Sequence, residues 1–179
     1  MATLEQARIL GGIGSILAIL SIAPTVGPVL GVIGFILVLI AVKYISDITG
    51  DESIFKNYLI AVIITIVGVA MLSFIGFAVY AALLSSIVGG SRAFLSSFSL
   101  SVVGIFAALW ILMIISAYFV RRSFNAISAT LNVKMFSTAA LLYLIGAILL
   151  IALGIGGIIS FVALILQTVA FFQIPVSKA

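Results

Sequence analysis

Residues 43–56 read KYISDITGDESIFK, and this short polar stretch decides how the rest of the chain is placed. It holds five of the twelve charged residues, including three of the four acids. Long apolar segments begin directly at both of its ends, and a soluble core has no use for apolar segments of that length. The stretch is therefore predicted to be a polar connection between two helices at one face of a membrane.

The composition points to the same class of protein. Hydrophobic residues make up 65% of the chain and charged residues 7%, whereas about a quarter of the residues of soluble domains are charged. About 20 apolar residues are needed for each crossing, so 179 residues allow about six spans and no separate extramembrane domain. The predicted fold is an all-α, polytopic transmembrane helical bundle that forms a single domain over residues 1–179.

The predicted helices follow from the apolar segments and the signals between them. They are listed here in chain order: a hairpin over 9–45, central helices over 50–88 and 100–120, a segment over 121–136, and a hairpin over 137–174. Thr49 and Glu52 have capping-box spacing, which predicts that the third helix begins near Gly50. The serine-rich stretch SSIVGGSRAFLSSFS, residues 85–99, is expected to be a loop.

The third helix is too long for a straight crossing. Its apolar part, from Tyr58 to Val88, would extend about 46 Å as a helix, against a hydrocarbon core of about 30 Å. The helix must tilt, break near residues 73–76, or project beyond the bilayer. Trp110, in the middle of the fourth span, is expected to be a packed aromatic residue.

The segment 121–136, RRSFNAISATLNVKMF, has the pattern of a basic helix that lies in the membrane interface. An unstructured linker and a simple extension of the fourth helix are the alternatives. Arg121, Arg122 and Lys134 are expected to contact lipid head groups.

Small residues form stripes at spacings of three and four in both terminal hairpins, where backbones can approach closely. The stripes predicted to be packing faces comprise Gly27, Gly31, Gly34, Gly156, Ser160 and Ala163. An offset of 129 residues aligns the second arms of the two hairpins, and an offset of 132 aligns Gly14 with Gly146. This register predicts an internal duplication, although apolar helices resemble one another by default.

The cations predict how the chain is threaded. With six spans and the amino terminus in the cytoplasm, seven cationic residues lie inside and only Arg92 lies outside. Both termini are then cytoplasmic. Either hairpin could instead be a re-entrant loop, because removing one would not change the sidedness.

The sequence contains few residues that could take part in catalysis or bind a metal ion. Cysteine and histidine are absent, which excludes disulfides, thiol catalysis and cysteine or histidine metal ligands. Asp47, Asp51 and Glu52 could be read as a metal site, but helix capping accounts for Asp51 and Glu52, and no metal site is predicted. No catalytic residue and no cofactor are predicted. Gln167 is the single amide in the predicted membrane interior, and it is expected to bond a neighbouring helix, with a solute contact as the alternative.

The stretches LEQARILGGIGSILAIL (4–20), KYISDITGDESIFKNYL (43–59) and LIGAIL to LQTVAFFQIP (144–175) resemble a family of uncharacterised multi-pass membrane proteins. That family is mostly archaeal and is known as a domain of unknown function. The resemblance spans nearly the whole chain and implies an archaeal plasma membrane. It implies no activity, substrate or cofactor.

Two functions remain open from the sequence. The first is a non-enzymatic membrane protein that acts by helix packing, either as a self-associating scaffold and homo-oligomer or as an accessory subunit of a larger membrane complex. The second is an uncoupled channel or facilitator for a small or apolar solute. The expected partner in both is the lipid bilayer, and the dilute net charge of +4 argues against nucleic acid.

Overall fold

The computed structural model of the protein describes residues 3–89, 92–150 and 155–175; the side chains of residue 78 and of residues 81–103 fall outside that description. Within it the chain is all-helical. The helices are α1 (Leu4–Leu20), α2 (Gly27–Thr49), α3 (Glu52–Gly89), α4 (Arg92–Leu131), α5 (Lys134–Ile148) and α6 (Ile155–Phe172). Four described helical segments are long and apolar enough to cross a membrane: Gly27–Thr49, Glu52–Phe77, Gly104–Leu131 and Ile155–Phe172. The helices α1 and α5 are shorter, with 17 and 15 residues.

The connection between α2 and α3 is tighter than the sequence predicted. Gly50 takes a left-handed conformation with φ of 72°, which lets α2 continue through Thr49 before the chain turns. The Thr49 hydroxyl donates to the Ile45 carbonyl inside α2. The Asp51 carboxylate instead accepts from the Ser53 backbone N–H at 2.9 Å. The predicted capping box of Thr49 and Glu52 is therefore wrong, and Asp51 caps α3.

The central hairpin is longer and more regular than predicted. The helix α3 has 38 residues and no break at residues 73–76, and it extends about 57 Å. The helix α4 begins at Arg92, so most of the stretch expected to be a serine-rich loop is helical. Serine is compatible with a helix, because its hydroxyl can bond the carbonyl four residues earlier, as the Ser73 hydroxyl does with Val69.

The segment 121–136 is divided between two helices. Residues 121–131 are the last part of α4, and α5 begins at Lys134 after Asn132, whose φ is positive. Phe124 and Ile127 are fully buried, and the Ser123 hydroxyl donates to the Ile54 carbonyl of α3 at 2.7 Å. The prediction of a separate interfacial helix is therefore wrong for residues 121–131. These residues extend the fourth helix, and their apolar face packs on α3.

The six helices close into a ring. Each helix contacts the next one along the chain, and α6 returns to contact α1. Two contacts illustrate the closure between distant parts of the chain: Gln167 of α6 bonds Ser15 of α1, and Phe171 of α6 lies against Gly11 of α1. The ring leaves a space between the helices that no helix occupies.

One end of the ring is filled by a tightly packed core. Its members include residues from every helix, all of them fully buried: Ala7, Ile45, Ile54, Phe124, Phe136 and Phe171. These residues lie within a few positions of Arg8, Lys43, Lys56, Arg121, Arg122 and Lys134. The described charged side chains of α1 to α5 therefore gather around one end of the ring, called here the charged end.

Candidate ligand cavity

A cavity of about 430 Å³ occupies the space inside the ring. Every helix contributes to its wall; representative residues, from α1 to α6, are Ala18, Phe35, Thr65, Ser116, Tyr143 and Gln167. The volume lies within the range of about 300–1,000 Å³ that is typical of small-molecule sites. None of the described residues that line the cavity is charged.

Aromatic rings close the cavity at the charged end. Tyr58 stacks on Phe124 with 5.9 Å between ring centroids, Phe124 meets Phe136 edge to face at 5.4 Å, and Phe136 meets Phe171 edge to face at 5.0 Å. These four rings come from α3, α4, α5 and α6, so they join four helices across the ring. We call them the aromatic floor.

Part of the cavity wall, in the middle of α3, is exposed. Val69 and Leu72 line the cavity, yet 57% and 49% of their surfaces are exposed. Thr65, also in the wall, is exposed as well. The wall of the cavity is therefore incompletely covered by protein along this part of α3.

Gln167 lies in the cavity wall and is 5% exposed. Its amide oxygen accepts from the Tyr143 hydroxyl of α5 at 2.8 Å, and its amide nitrogen donates to the Ser15 hydroxyl of α1 at 2.9 Å. It bonds two neighbouring helices, as expected, and it also borders the cavity, where a solute contact stays a prediction. No pattern in the sequence indicated that Tyr143 and Ser15 would be its partners.

A second polar pair joins α3 to α4. Thr65 and Ser116 hydroxyls lie 2.9 Å apart, and both donate to the Ala61 carbonyl, at 2.9 Å and 3.0 Å. Trp110 makes a further interhelical bond, donating its indole N–H to the Ala147 carbonyl of α5 at 2.8 Å. Isolated serine, threonine and tyrosine residues are common in apolar helices, so the sequence alone did not single out these contacts.

The glycine stripe of α2 faces α1. A Cβ added at Gly34 would collide with the Gly14 carbonyl oxygen and lie 2.8 Å from the Ala18 nitrogen, whereas a Cβ at Gly31 would lie 3.1 Å from the Ser21 Cβ. Gly27, at the start of α2, lies against the backbone of Ser21. This stripe packs within its own hairpin.

The stripe of α6 faces α5 in a different register. Gly146 meets Gly156 and Ser160, whereas the alignment of the two hairpins would place Ala163 opposite it, as Gly34 is opposite Gly14. Ala163 is fully buried. The α5–α6 contact is thus displaced by about a turn or more toward the connecting residues, and the proposed duplication does not extend to contact register.

The predicted head-group residues lie at the charged end. Arg122 and Lys134 are exposed there and Arg121 is half-buried. Among the acids, Asp47 pairs with Lys43 at 2.6 Å on the surface of α2, and Asp51 caps α3.

Comparison with known proteins identifies the family but no activity. The family described as a protein of unknown function, DUF996, matches residues 30–165. An uncharacterised protein of the archaeon Methanocaldococcus jannaschii, MJ1644, is 36% identical over 173 residues, which cover 96% of this chain and 93% of that protein. No solved structure matches. The resemblance predicted from the sequence is confirmed: the chain belongs to the DUF996 family.

Proposed function

We propose that this protein is a non-enzymatic integral membrane protein that binds a small or apolar neutral solute inside its helix ring and acts as an uncoupled channel or facilitator. The observation that carries the proposal is the cavity of about 430 Å³ with an uncharged wall drawn from all six helices. An ion-coupled transporter usually has ionisable acids or bases in its interior. The wall here offers hydroxyl and amide groups and apolar side chains instead.

We further propose that the protein lies in the plasma membrane with six crossings and with both termini in the cytoplasm. The gathering of cations at the charged end supports this sidedness, since cytoplasmic segments are enriched in Lys and Arg. The shorter helices α1 and α5 lie beside longer neighbours in the ring, which favours spanning hairpins over re-entrant loops. The exposed cations Arg122 and Lys134 would then contact head groups of the cytoplasmic leaflet.

In this proposal the aromatic floor is the barrier to passage. The stacked rings of Tyr58, Phe124, Phe136 and Phe171 separate the cavity from the charged end. A solute would cross only when these rings move apart, whereas binding in the cavity needs no such movement.

The test is solute flux with a cavity-filling variant and a matched control. Gly68 lines the cavity, and a Cβ added there meets nothing within 4 Å; Gly76 lies two turns further along α3, outside the cavity wall, and is equally open. Gly68→Phe is therefore expected to reduce the free volume of the cavity, since its first added atom has room, and Gly76→Phe adds the same bulk elsewhere.

Efflux of glycerol, butanediol and hexanediol from proteoliposomes is measured by stopped-flow light scattering. We expect the wild type and Gly76→Phe to accelerate efflux of at least one solute over protein-free vesicles, and Gly68→Phe to abolish the acceleration. Equal flux through both variants, or no acceleration by the wild type, would contradict the facilitator proposal.

A scaffold or accessory subunit is the second candidate. It is supported by the large apolar side chains that α3 exposes, such as Phe74 at 81% and Phe77 at 72%, which a partner could cover as well as lipid. The small-residue stripes support it less, because they pack within the hairpins. A defined large assembly in mild detergent would favour this candidate, and a monomer would weaken it.

A further inference from the structure

Tyr58 is the one buried polar side chain of the cavity wall whose hydroxyl has no hydrogen-bond partner among the described residues. It is 5% exposed, and its ring is held by stacking on Phe124 with only 6° between the planes. The other buried or bonded polar groups of the wall, in Thr65, Ser116, Tyr143 and Gln167, are satisfied by protein atoms. Ser160 also lines the cavity but is only half-buried.

No buried side-chain nitrogen or oxygen among the described residues lacks a partner, so the unbonded Tyr58 hydroxyl keeps contact with open space, and Tyr58 borders the cavity. The Tyr58 side chain lines the cavity at the aromatic floor, so a molecule in the cavity can supply the missing partner. Because stacking fixes the ring, the hydroxyl is oriented before the molecule arrives, and little ordering is needed on binding.

The shape of the cavity restricts that molecule. Its lining residues on α3 run from Tyr58 to Leu72, about 21 Å along the helix axis. This length suits an extended molecule that reaches from the Tyr58 hydroxyl to Leu72.

We propose that the cavity binds a neutral amphiphile whose terminal oxygen accepts a hydrogen bond from the Tyr58 hydroxyl, with its chain extending along α3 toward Leu72. This inference rests on the proposed function in one respect, namely that the cavity is a binding site. The uncharged wall excludes a carboxylate or ammonium head group, because no described lining residue compensates a charge.

The experiment compares a long-chain methyl ketone with the alkane of equal chain length. The ketone carries an acceptor and no donor, so it isolates the hydrogen bond from Tyr58. Apparent affinities are obtained from the rise in melting temperature of the full-length protein with the mole fraction of each probe in detergent micelles. The variants are Tyr58→Phe and the control Tyr118→Phe, whose side chain is 50% exposed.

We expect the wild type and Tyr118→Phe to bind the ketone about two- to tenfold more tightly than the alkane, the factor for one hydrogen bond. Tyr58→Phe should bind the alkane as the wild type does and lose the preference for the ketone. Its melting temperature without a probe should not fall, since no protein bond is removed.

Equal binding of ketone and alkane by the wild type would overturn the proposal, and so would a preference that survives in Tyr58→Phe. The two proposals fail separately. A preference for the ketone that depends on Tyr58, without solute flux in proteoliposomes, would remove the facilitator and leave the binding site. Flux that Gly68→Phe blocks, without a ketone preference, would remove the amphiphile and leave the facilitator.

Discussion

Replacing Gln167 by leucine removes the centre of a network that joins three helices. The amide bonds Tyr143 of α5 and Ser15 of α1, so its loss leaves two hydroxyl groups without their partner. Ser15 is fully buried and has no access to water. Leucine is close to glutamine in size, and the change therefore tests the hydrogen bonds rather than the packing.

The expected loss of stability follows from the number of bonds. Interhelical hydrogen bonds in membrane proteins contribute on average about 0.6 kcal/mol and at most about 1.7 kcal/mol each. Two such bonds give a reduction of about 1–3 kcal/mol in the free energy of unfolding. Leucine recovers little of this, because lipid chains are as apolar as leucine and provide no hydrophobic gain.

The free energy of unfolding is measured by titrating the purified protein in mixed micelles with a denaturing detergent and following helicity by circular dichroism. Gln173→Leu is the matched control, because Gln173 is exposed beyond the end of α6 and makes no side-chain hydrogen bond in the described structure. Ser15→Ala combined with Gln167→Leu should cost less than the sum of the two single changes, since they share a bond.

Equal stability of Gln167→Leu and Gln173→Leu would refute this reasoning. Strict additivity of Ser15→Ala and Gln167→Leu would refute the specific bond between α6 and α1. Such a result would also remove the hydrogen-bonded part of the contact that closes the ring.

Three further predictions concern packing, a second interhelical bond and sidedness. Gly34→Ala should lower the free energy of unfolding by about 1–3 kcal/mol, because the added Cβ has no room against α1. Gly76→Ala, the control, should be tolerated because its surroundings are open. Equal effects of the two changes would contradict the close contact between α1 and α2. Trp110→Phe should cost about 0.6–1.7 kcal/mol by removing the bond to the α5 carbonyl, and an unchanged unfolding curve would contradict it. In intact cells, a single cysteine at Ser91 should react with an impermeant maleimide and one at Asp51 should not; the reverse pattern would overturn the proposed topology.

The sequence by itself determined the class of the protein and the position of its polar segments. In a membrane, long apolar segments of this composition must form helices, since every backbone group must form its hydrogen bond within the segment. The stretch around Asp51 indicated a connection between two helices. The single amide Gln167 indicated a polar contact on a helix that contributes to the cavity wall. These properties depend on residues close together in the sequence, so a local pattern is enough to predict them.

Helix ends were less accurately predicted where two signals competed. Thr49 could cap α3 or continue α2, and only the left-handed conformation of Gly50 decided between them. The serines of residues 85–99 read as a loop, although a helix can satisfy their hydroxyls. Phe124 and Ile127 fit an interfacial helix equally well until α3 was found opposite them.

Only the tertiary structure decided what the helices enclose. The contact between α1 and α6 joins residues about 150 positions apart, as in the Ser15–Gln167 bond, and no periodicity within a helix predicts it. That closure creates the cavity, assigns the glycine stripes to contacts within the hairpins, and leaves the Tyr58 hydroxyl without a partner among the described residues. The physical reason is that an apolar helix in lipid is equally compatible with many neighbours, so the choice among them depends on side-chain fit and on a few hydrogen bonds between distant parts of the chain.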